Sequence, residues 1–334
     1  MAIDLGTRST QIYAKGRGVV LAEPSLAAVD RESGLVVAAG RAASKSLQDE
    51  SAELEAVWPL AHGVVADFEV AEQMLSYFLR KVRRRVYGVY GRFFRPRMKP
   101  KVLVCVHTGA TELEFSTARR VAVAAGAREA YTVEGTLAAA IGAGLLGAEL
   151  AVDETRGAMI VDVGGGKTEA AVLSMGEVVA GTSVRSGGND MDEAIQSYIR
   201  KEHILWIDLQ EAERLKIELG SALPLEDEFV EVSGVDILTG DSKDSKTILV
   251  SSTEIHEAIK GCVETIAEVV RVTLESTPVE LVSDIAEGGI AVCGGGAQLR
   301  LLEDLLRYKT GVPVYVVHDP HKCAALGAGR MLGE

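Results

Sequence analysis

One pattern occurs twice in this chain, 158 residues apart, and it limits the possible folds more than any other feature. Ile3-Asp4-Leu5-Gly6-Thr7-Arg8-Ser9-Thr10 and Val161-Asp162-Val163-Gly164-Gly165-Gly166-Lys167-Thr168 each run from an apolar strand ending in Asp, through a glycine-bearing turn, to a hydroxyl residue. A second apolar strand follows each, Gln11-Ile12-Tyr13 and Ala170-Ala171-Val172-Leu173. Without a Cβ, glycine lets backbone N–H groups come close to a phosphate. An Asp at the strand end can hold a hydrated Mg²⁺ beside it. One copy would be an ordinary Asp-x-Gly turn. Two copies predict related subdomains closing on one nucleoside triphosphate from opposite sides.

With 334 residues the chain is long enough for two domains, each with its own core. A 47% hydrophobic and 25% charged composition, rich in Gly and Ala, reads as α/β. The net charge of −13 argues against general nucleic-acid binding. No apolar run reaches the roughly 18 residues of a membrane span, and entry into a strand at residue 3 predicts no signal peptide. Cys105, Cys262, Cys293 and Cys323 lack CxxC spacing, so free thiols in a reducing compartment are expected.

Strands are expected at 19–29, 36–39, 101–107, 290–292 and 314–317, and a hairpin at 158–182. Helices are expected at 66–82, 112–125, 137–146, 190–203, 209–220, 253–276, 299–310 and 324–331, with a polar, partly β insertion ending near residue 249. Val70, Met74, Phe78 and Val82 share one face of the 66–82 helix. Strands alternating with helices imply sheets covered by helices on both faces. Gly166-Lys167-Thr168 mimics the end of a P-loop, but its first glycine would fall on Val161 and a strand follows instead of a helix.

These residues resemble the actin/heat-shock chaperone/sugar-kinase superfamily over essentially the whole length, and within it the MreB rod-shape-determining family of bacterial actins. Asp4-Leu5-Gly6-Thr7 resembles the first phosphate motif and Asp162-Val163-Gly164-Gly165-Gly166 the second. Ala138-Ala139-Ala140-Ile141-Gly142-Ala143-Gly144 and Ala324-Ala325-Leu326-Gly327-Ala328-Gly329 resemble the two connecting helices of the hinge. Gly294-Gly295-Gly296-Ala297 resembles the adenosine motif. Glu213-x-x-Lys216 resembles the pair reaching ribose and adenine, and its i, i+3 spacing puts both on one helix face. Val64-x-x-Asp67, Gly187-Gly188-x-x-Met191-Asp192 and Thr277-Pro278 are further matches.

The resemblance implies an α/β, actin-like (ribonuclease H-like) two-domain fold, each half a mixed sheet flanked by helices. Domain I would comprise 1–136, completed by 318–334, and domain II 137–317, with a nucleotide cleft between them. It implies ATP and Mg²⁺ as cofactors, with Asp4 and Asp162 organising the metal through its waters. Gly6, Thr7, Ser9, Thr10, Gly164, Gly165, Gly166, Lys167, Thr168 and Gly187 would surround the phosphates. Glu213, Lys216, Gly294, Gly295 and Gly296 would hold the nucleoside. The implied function is an ATP-dependent filament under the cytoplasmic membrane that guides cell-wall synthesis and cell shape. Its partners would be further copies of itself, the anionic inner membrane surface, the cell-wall elongation machinery and related MreB paralogues, with no nucleic acid among them.

Two positions depart from the family pattern where hydrolysis should occur. The first connecting motif begins Glu-Glu-Pro in the family, its second Glu orienting the attacking water; here the three positions are Glu134, Gly135 and Thr136. Lys167 stands where the family has the first Thr of Gly-Gly-Gly-Thr-Thr-Glu. Losing a general base removes roughly 10²–10⁴-fold in rate, while a lysine beside the phosphates favours triphosphate binding. This predicts an actin that binds ATP with slow or absent hydrolysis. In the alternative, Glu134 shifts into the gap as the catalytic group and Lys167 turns to solvent or to Glu169.

Segment 81–101 carries nine Lys/Arg and no acid, interleaved with Val86, Tyr87, Val89, Tyr90, Phe93 and Phe94. Gly88, Gly91, Pro96 and Pro100 predict a loop. The matching family region inserts into the membrane, which makes Tyr87, Tyr90, Arg92, Phe93 and Phe94 candidate membrane contacts. Repulsion from the overall charge is screened beyond about 8 Å, and each basic residue near an anionic leaflet contributes about 1 kcal/mol. Otherwise Phe93 and Phe94 pack into the domain, or the patch meets nucleic acid. His318-x-x-His321-x-Cys323 has metal-ligand residue types in a loop that needs only a turn. Rival functions are a small-molecule kinase, a chaperone, and a non-polymerising nucleotide-binding regulator that co-assembles with another actin.

Overall fold

The computed structural model describes residues 1–49, 53–87, 99–146, 156–238 and 245–333. The first half contains β1 (Ala2–Leu5), β2 (Ser9–Ala14), β3 (Gly18–Pro24), β4 (Ala27–Asp30), β5 (Val36–Ala39), β6 (Leu54–Val57), β7 (Leu60–Ala61), β8 (Val64–Val65), β9 (Lys101–Val106) and β10 (Glu129–Glu134). Its helices are α1 (Arg41–Ser46), α2 (Phe68–Tyr87) and α3 (Glu112–Ala124). After α4 (Gly135–Ala143) come β11 (Ala158–Val163), β12 (Thr168–Ser174), β13 (Glu177–Val184), α5 (Gly188–Glu202), β14 (Leu205–Trp206), α6 (Leu209–Leu219), β15 (Phe229–Asp236) and β16 (Ser245–Ser251). Next are α7 (Ser252–Glu275), α8 (Val279–Gly288), β17 (Ile290–Cys293), α9 (Leu302–Thr310), β18 (Val314–Val316) and α10 (Cys323–Met331).

The duplication read in the motifs extends to whole sheets. One has the order β10-β9-β1-β2-β3, the other β18-β17-β11-β12-β13. In each, an antiparallel meander (β1-β2-β3 or β11-β12-β13) is extended by two parallel strands. The registers at the turns agree, Leu5 opposite Thr10 and Val163 opposite Thr168. Small outer sheets, β5-β4-β6 and β14-β15-β16, complete the two halves. Capping boxes start α3 at Thr111/Glu114 and α7 at Ser251/Glu254, satisfying backbone N–H groups that the first helical turn leaves open.

Three large apolar clusters follow this plan. One lies in the first half around Ile12, Phe78 and Val104, and one in the second around Met159, Ile195 and Ile259. The third joins the halves: α4 and α10 pack between the sheets with Ala2, Cys105, Ile160, Leu173 and Cys293. Here small residues are required. A Cβ on Gly142 would run into the carbonyl of Cys323, and one on Gly327 into the carbonyl of Ala138. The helices therefore cross backbone to backbone, and Arg330 caps α4 by donating to the Ile141 carbonyl at 2.6 Å.

Three sequence expectations need correction. The 19–29 strand is two strands in different sheets, broken at Pro24-Ser25-Leu26, where Ser25 turns to serve the first hairpin. The 299–310 helix starts at Leu302, after a 3₁₀ turn at Gly295–Gln298 and a left-handed Leu301. Residues 83–87 are helix and not loop, because α2 runs to Tyr87. Buried Val82 and half-buried Val86 continue the apolar stripe of Phe78 and Leu79. Lys81 pairs with buried Glu23 at 2.8 Å, and Arg85 donates to the Val20 carbonyl. Tyr90, Arg92, Phe93 and Phe94 lie outside the described residues, as does the side chain of Tyr87. Among the described residues, no helix is long and apolar enough to cross a membrane.

Candidate functional site

Both hairpin turns are locked by the same backbone bond. The Gly6 N–H donates to the Ser9 carbonyl at 3.1 Å, and the Gly164 N–H to the Lys167 carbonyl at 2.9 Å. Separate supports hold each turn. Ser25 Oγ donates to the Gly6 carbonyl at 2.6 Å and lies 2.8 Å from Thr10 Oγ1. Under the second turn, the first N–H groups of α5, at Gly188 and Asn189, donate to the carbonyls of Gly164 and Gly165 at 3.0 and 2.7 Å.

The two turns face one cavity of about 440 Å³, within the usual range for a small-molecule site. Asp4, Gly6, Thr7, Ser9, Asp162, Gly164, Gly165, Gly166, Lys167, Glu213, Lys216, Gly294, Gly295 and Gly296 all line it. Gly294, at φ 83°, brings the β17 end against Asp162 and the Val163 carbonyl, where a Cβ would collide. Four anticipated residues are not on the wall. Thr10 and Thr168 point into the protein because they open the return strands on their buried side: Thr10 meets Ser25, and Thr168 donates to the Ser186 carbonyl at 2.8 Å. Gly187 lies behind the second turn, packed on the carbonyls of Gly164 and Gly165. Glu134 is turned outward, its Oε1 3.4 Å from the Gly109 N–H, and Gly135 holds the wall instead.

Charge in the cavity is concentrated around the strand-end aspartates. Burial raises the Asp4 carboxyl to about 6 and the Asp162 carboxyl to about 7; Glu169 adds repulsion and Lys167 partly offsets it. Lys167 is folded back on Glu169, 2.5 Å away, and Glu169 also accepts the Thr108 N–H at 2.6 Å. Opposite, Gln11 donates to the His321 carbonyl, which leaves its buried Oε1 with no hydrogen-bond partner. Lys216 ties α6 to α5 through Asp192 at 2.6 Å and the Gly188 carbonyl at 2.9 Å.

Three features of this cavity fit a triphosphate with a hydrated divalent cation. The glycine turns expose backbone, two aspartates converge, and the orphan Gln11 oxygen offers an acceptor to metal-bound water. Among the described residues no group of three His, Cys, Asp or Glu side chains is placed to chelate a metal directly, so any Mg²⁺ here would be held through its waters. Among the wall residues missed in the sequence are Arg8, Gln11 and His107. Gln11 was recoverable, since it occupies in the first hairpin the position of Glu169 in the second. Arg8 and His107 carry no periodic or spacing signal.

Two sheets of identical topology around a cavity, joined by a crossed helix pair, define the class as actin-like. Solved structures agree. A TM-score of 0.86 relates the chain to MreB5 of Spiroplasma citri bound to ADP, at 32% identity over 98% of this chain and 93% of that one. The same protein bound to AMPPNP gives 0.84 at 31% identity, over the same shares of the two chains. A MamK double helical filament gives 0.76 at 19%, covering 99% and 98%, and shows the fold alone. The MreB/Mbl protein family model matches residues 1–334. Cell shape-determining protein MreB of Escherichia coli K12 is 43% identical over 99% of this chain and 92% of its own length. Cell shape-determining protein Mbl of Bacillus subtilis 168 is 38% identical over 99% and 95%. The chain belongs to the MreB/Mbl family.

Proposed function

We propose that this chain binds ATP with Mg²⁺ between the two hairpins and assembles into actin-like filaments that act in cell-shape determination at the inner face of the membrane. The observation carrying the nucleotide reading is the single cavity shared by both turns and by the Gly294–Gly296 backbone. The nucleotide-bound Spiroplasma citri relatives and the cell shape-determining names of the Escherichia coli and Bacillus subtilis relatives support it. When bound, the metal would neutralise charge on the β- and γ-phosphates. Asp4, Asp162 and Gln11 would orient its water shell, and the Gly6–Thr7 and Gly164–Gly166 backbones would face the phosphates.

Hydrolysis is slow on this reading. Gly135 presents no carboxylate to the cavity, Glu134 is turned to Gly109, and the Lys167 ammonium is engaged by Glu169. With Gly135 at that position and Glu134 turned away, the described wall has no carboxylate where the water-orienting acid is expected. The same observation favours, as a second reading, a nucleotide-binding paralogue that co-assembles with another MreB-type protein.

Titration of Mg²⁺-ATP followed by calorimetry tests binding. Sedimentation and negative-stain microscopy, with and without anionic vesicles, test assembly and membrane docking. We expect filaments with ATP and vesicle pelleting that is lost in Phe93→Ala/Phe94→Ala. Persistent monomers that pellet only with a second MreB-type protein would select the co-assembling reading, and no heat of binding would overturn both.

A further inference from the structure

Arg8 is the long cation at the tip of the first hairpin, and the phosphate-cradle account leaves it without a task. Its side chain crosses Gly165 of the second hairpin and ends on Glu213 of α6, in the other half of the molecule. The crossing needs glycine beneath it, since a Cβ on Gly165 would lie 2.6 Å from Arg8 Cβ. The guanidinium is also stacked on Trp58, just after β6, with Cζ 4.7 Å from the ring centroid. Arg8, Glu213 and Trp58 are each about one-third exposed, so the chain of contacts lies at the solvent edge of the cavity.

We propose that Arg8 is a strap across the mouth of the nucleotide cleft, a positioning residue that holds Glu213 in place and sets how long a bound nucleotide stays. A planar guanidinium can pair with a carboxylate through its edge while stacking an indole on its face, which no lysine reproduces. Two hydrogen bonds between the halves near the turns, His62 with the Gly166 carbonyl and Thr108 N–H to Glu169, use backbone atoms and do not depend on Arg8. A partly exposed ion pair is weakened by salt and opens readily, and those are properties of a gate. The proposal rests on the nucleotide reading above.

The test uses the full chain with Trp206→Phe, which leaves Trp58 as the one tryptophan. In nucleotide-free protein, Arg8→Ala should raise acrylamide quenching of Trp58 about twofold, with Arg8→Lys between the two. For a fluorescent ATP analogue chased with ATP, release should be about five- to tenfold faster in Arg8→Ala and about two- to threefold faster in Trp58→Leu. Raising salt from about 0.05 M to about 0.5 M should speed release from the parent and leave Arg8→Ala unchanged. If Arg8→Ala folds poorly, the Arg8→Lys and Trp58→Leu series decides. A parent that binds the analogue but releases it at a rate indifferent to these changes and to salt overturns the strap alone. A parent that binds no analogue overturns the nucleotide reading and the gate together.

Discussion

The two hairpins share a plan and differ in how each places its polar residues. Asp4 lies opposite Gln11 in the first, and Asp162 opposite Glu169 in the second. The carbonyls of Ser9 and Lys167 accept the same turn bond, from the Gly6 and Gly164 N–H groups. In the first hairpin the strand-end partner is a neutral amide, and the tip carries its cation, Arg8, away across the cleft. In the second, the partner is a buried carboxylate, and the cation folds back to neutralise it. Duplication has thus conserved the backbone cradle while the side chains took separate tasks, one hairpin reaching outward and the other balancing charge within.

The largest expected effect asks whether the wall beside the hairpins limits chemistry. Gly135→Glu restores a carboxylate where the cavity has only backbone, and should raise Mg²⁺-dependent phosphate release from ATP about 100-fold. An unchanged rate would move the deficit elsewhere, to Lys167 first. Next in size is the contrast between the two cations. Lys167→Met leaves Glu169 buried and unpaired and should cost about 3 kcal/mol in urea denaturation, with most of it recovered in Lys167→Met/Glu169→Gln. Arg8→Ala should cost under about 1 kcal/mol, because its pair is partly exposed. Equal losses would erase the distinction drawn between reaching and balancing.

The hairpin supports come third. Ser25→Ala removes a hydroxyl that donates to Gly6 and meets Thr10, and should lower stability by about 1–2 kcal/mol; Thr168→Val, which loses one bond to Ser186, should cost about 1 kcal/mol. A reversed order would mean that the second hairpin depends more on its hydroxyl than on the α5 amides. A last prediction concerns pH. Asp4 and Asp162 bind their protons more tightly folded than unfolded, up to about 6 and about 7. The nucleotide-free protein should therefore lose stability as pH rises from about 4 to about 7, the interval between the unfolded and folded values. Thermal melts that rise over that window would contradict this burial of charge.

Most of the architecture was legible because it follows from period and punctuation. Apolar strands ending in Asp and Gly, small-residue helices and a glycine triplet locate both sheets, the crossing and the cavity. What the sequence concealed depends on partners distant along the chain. Helix α2 runs past residue 82 because Lys81 finds Glu23 and Arg85 finds Val20, whereas the glycines and prolines beyond suggested an earlier stop. Thr10 and Thr168 read as phosphate ligands by motif, but strand alternation turned them to the buried face. Arg8 was invisible because a single arginine in a turn has no period, and its meaning lies in Glu213, 205 residues later.

The contact of α4 with α10 carries a mechanical implication. Because Gly142 and Gly327 bring main chain against main chain, no side chain intervenes at the crossing point itself, and a rotation of the halves about it would work as on an axle. Points far from an axle travel farther than points near it, so a rotation too slight to notice at the cavity floor is magnified at the outlying sheets β5-β4-β6 and β14-β15-β16. Whatever touches those rims is placed to register what the cavity holds.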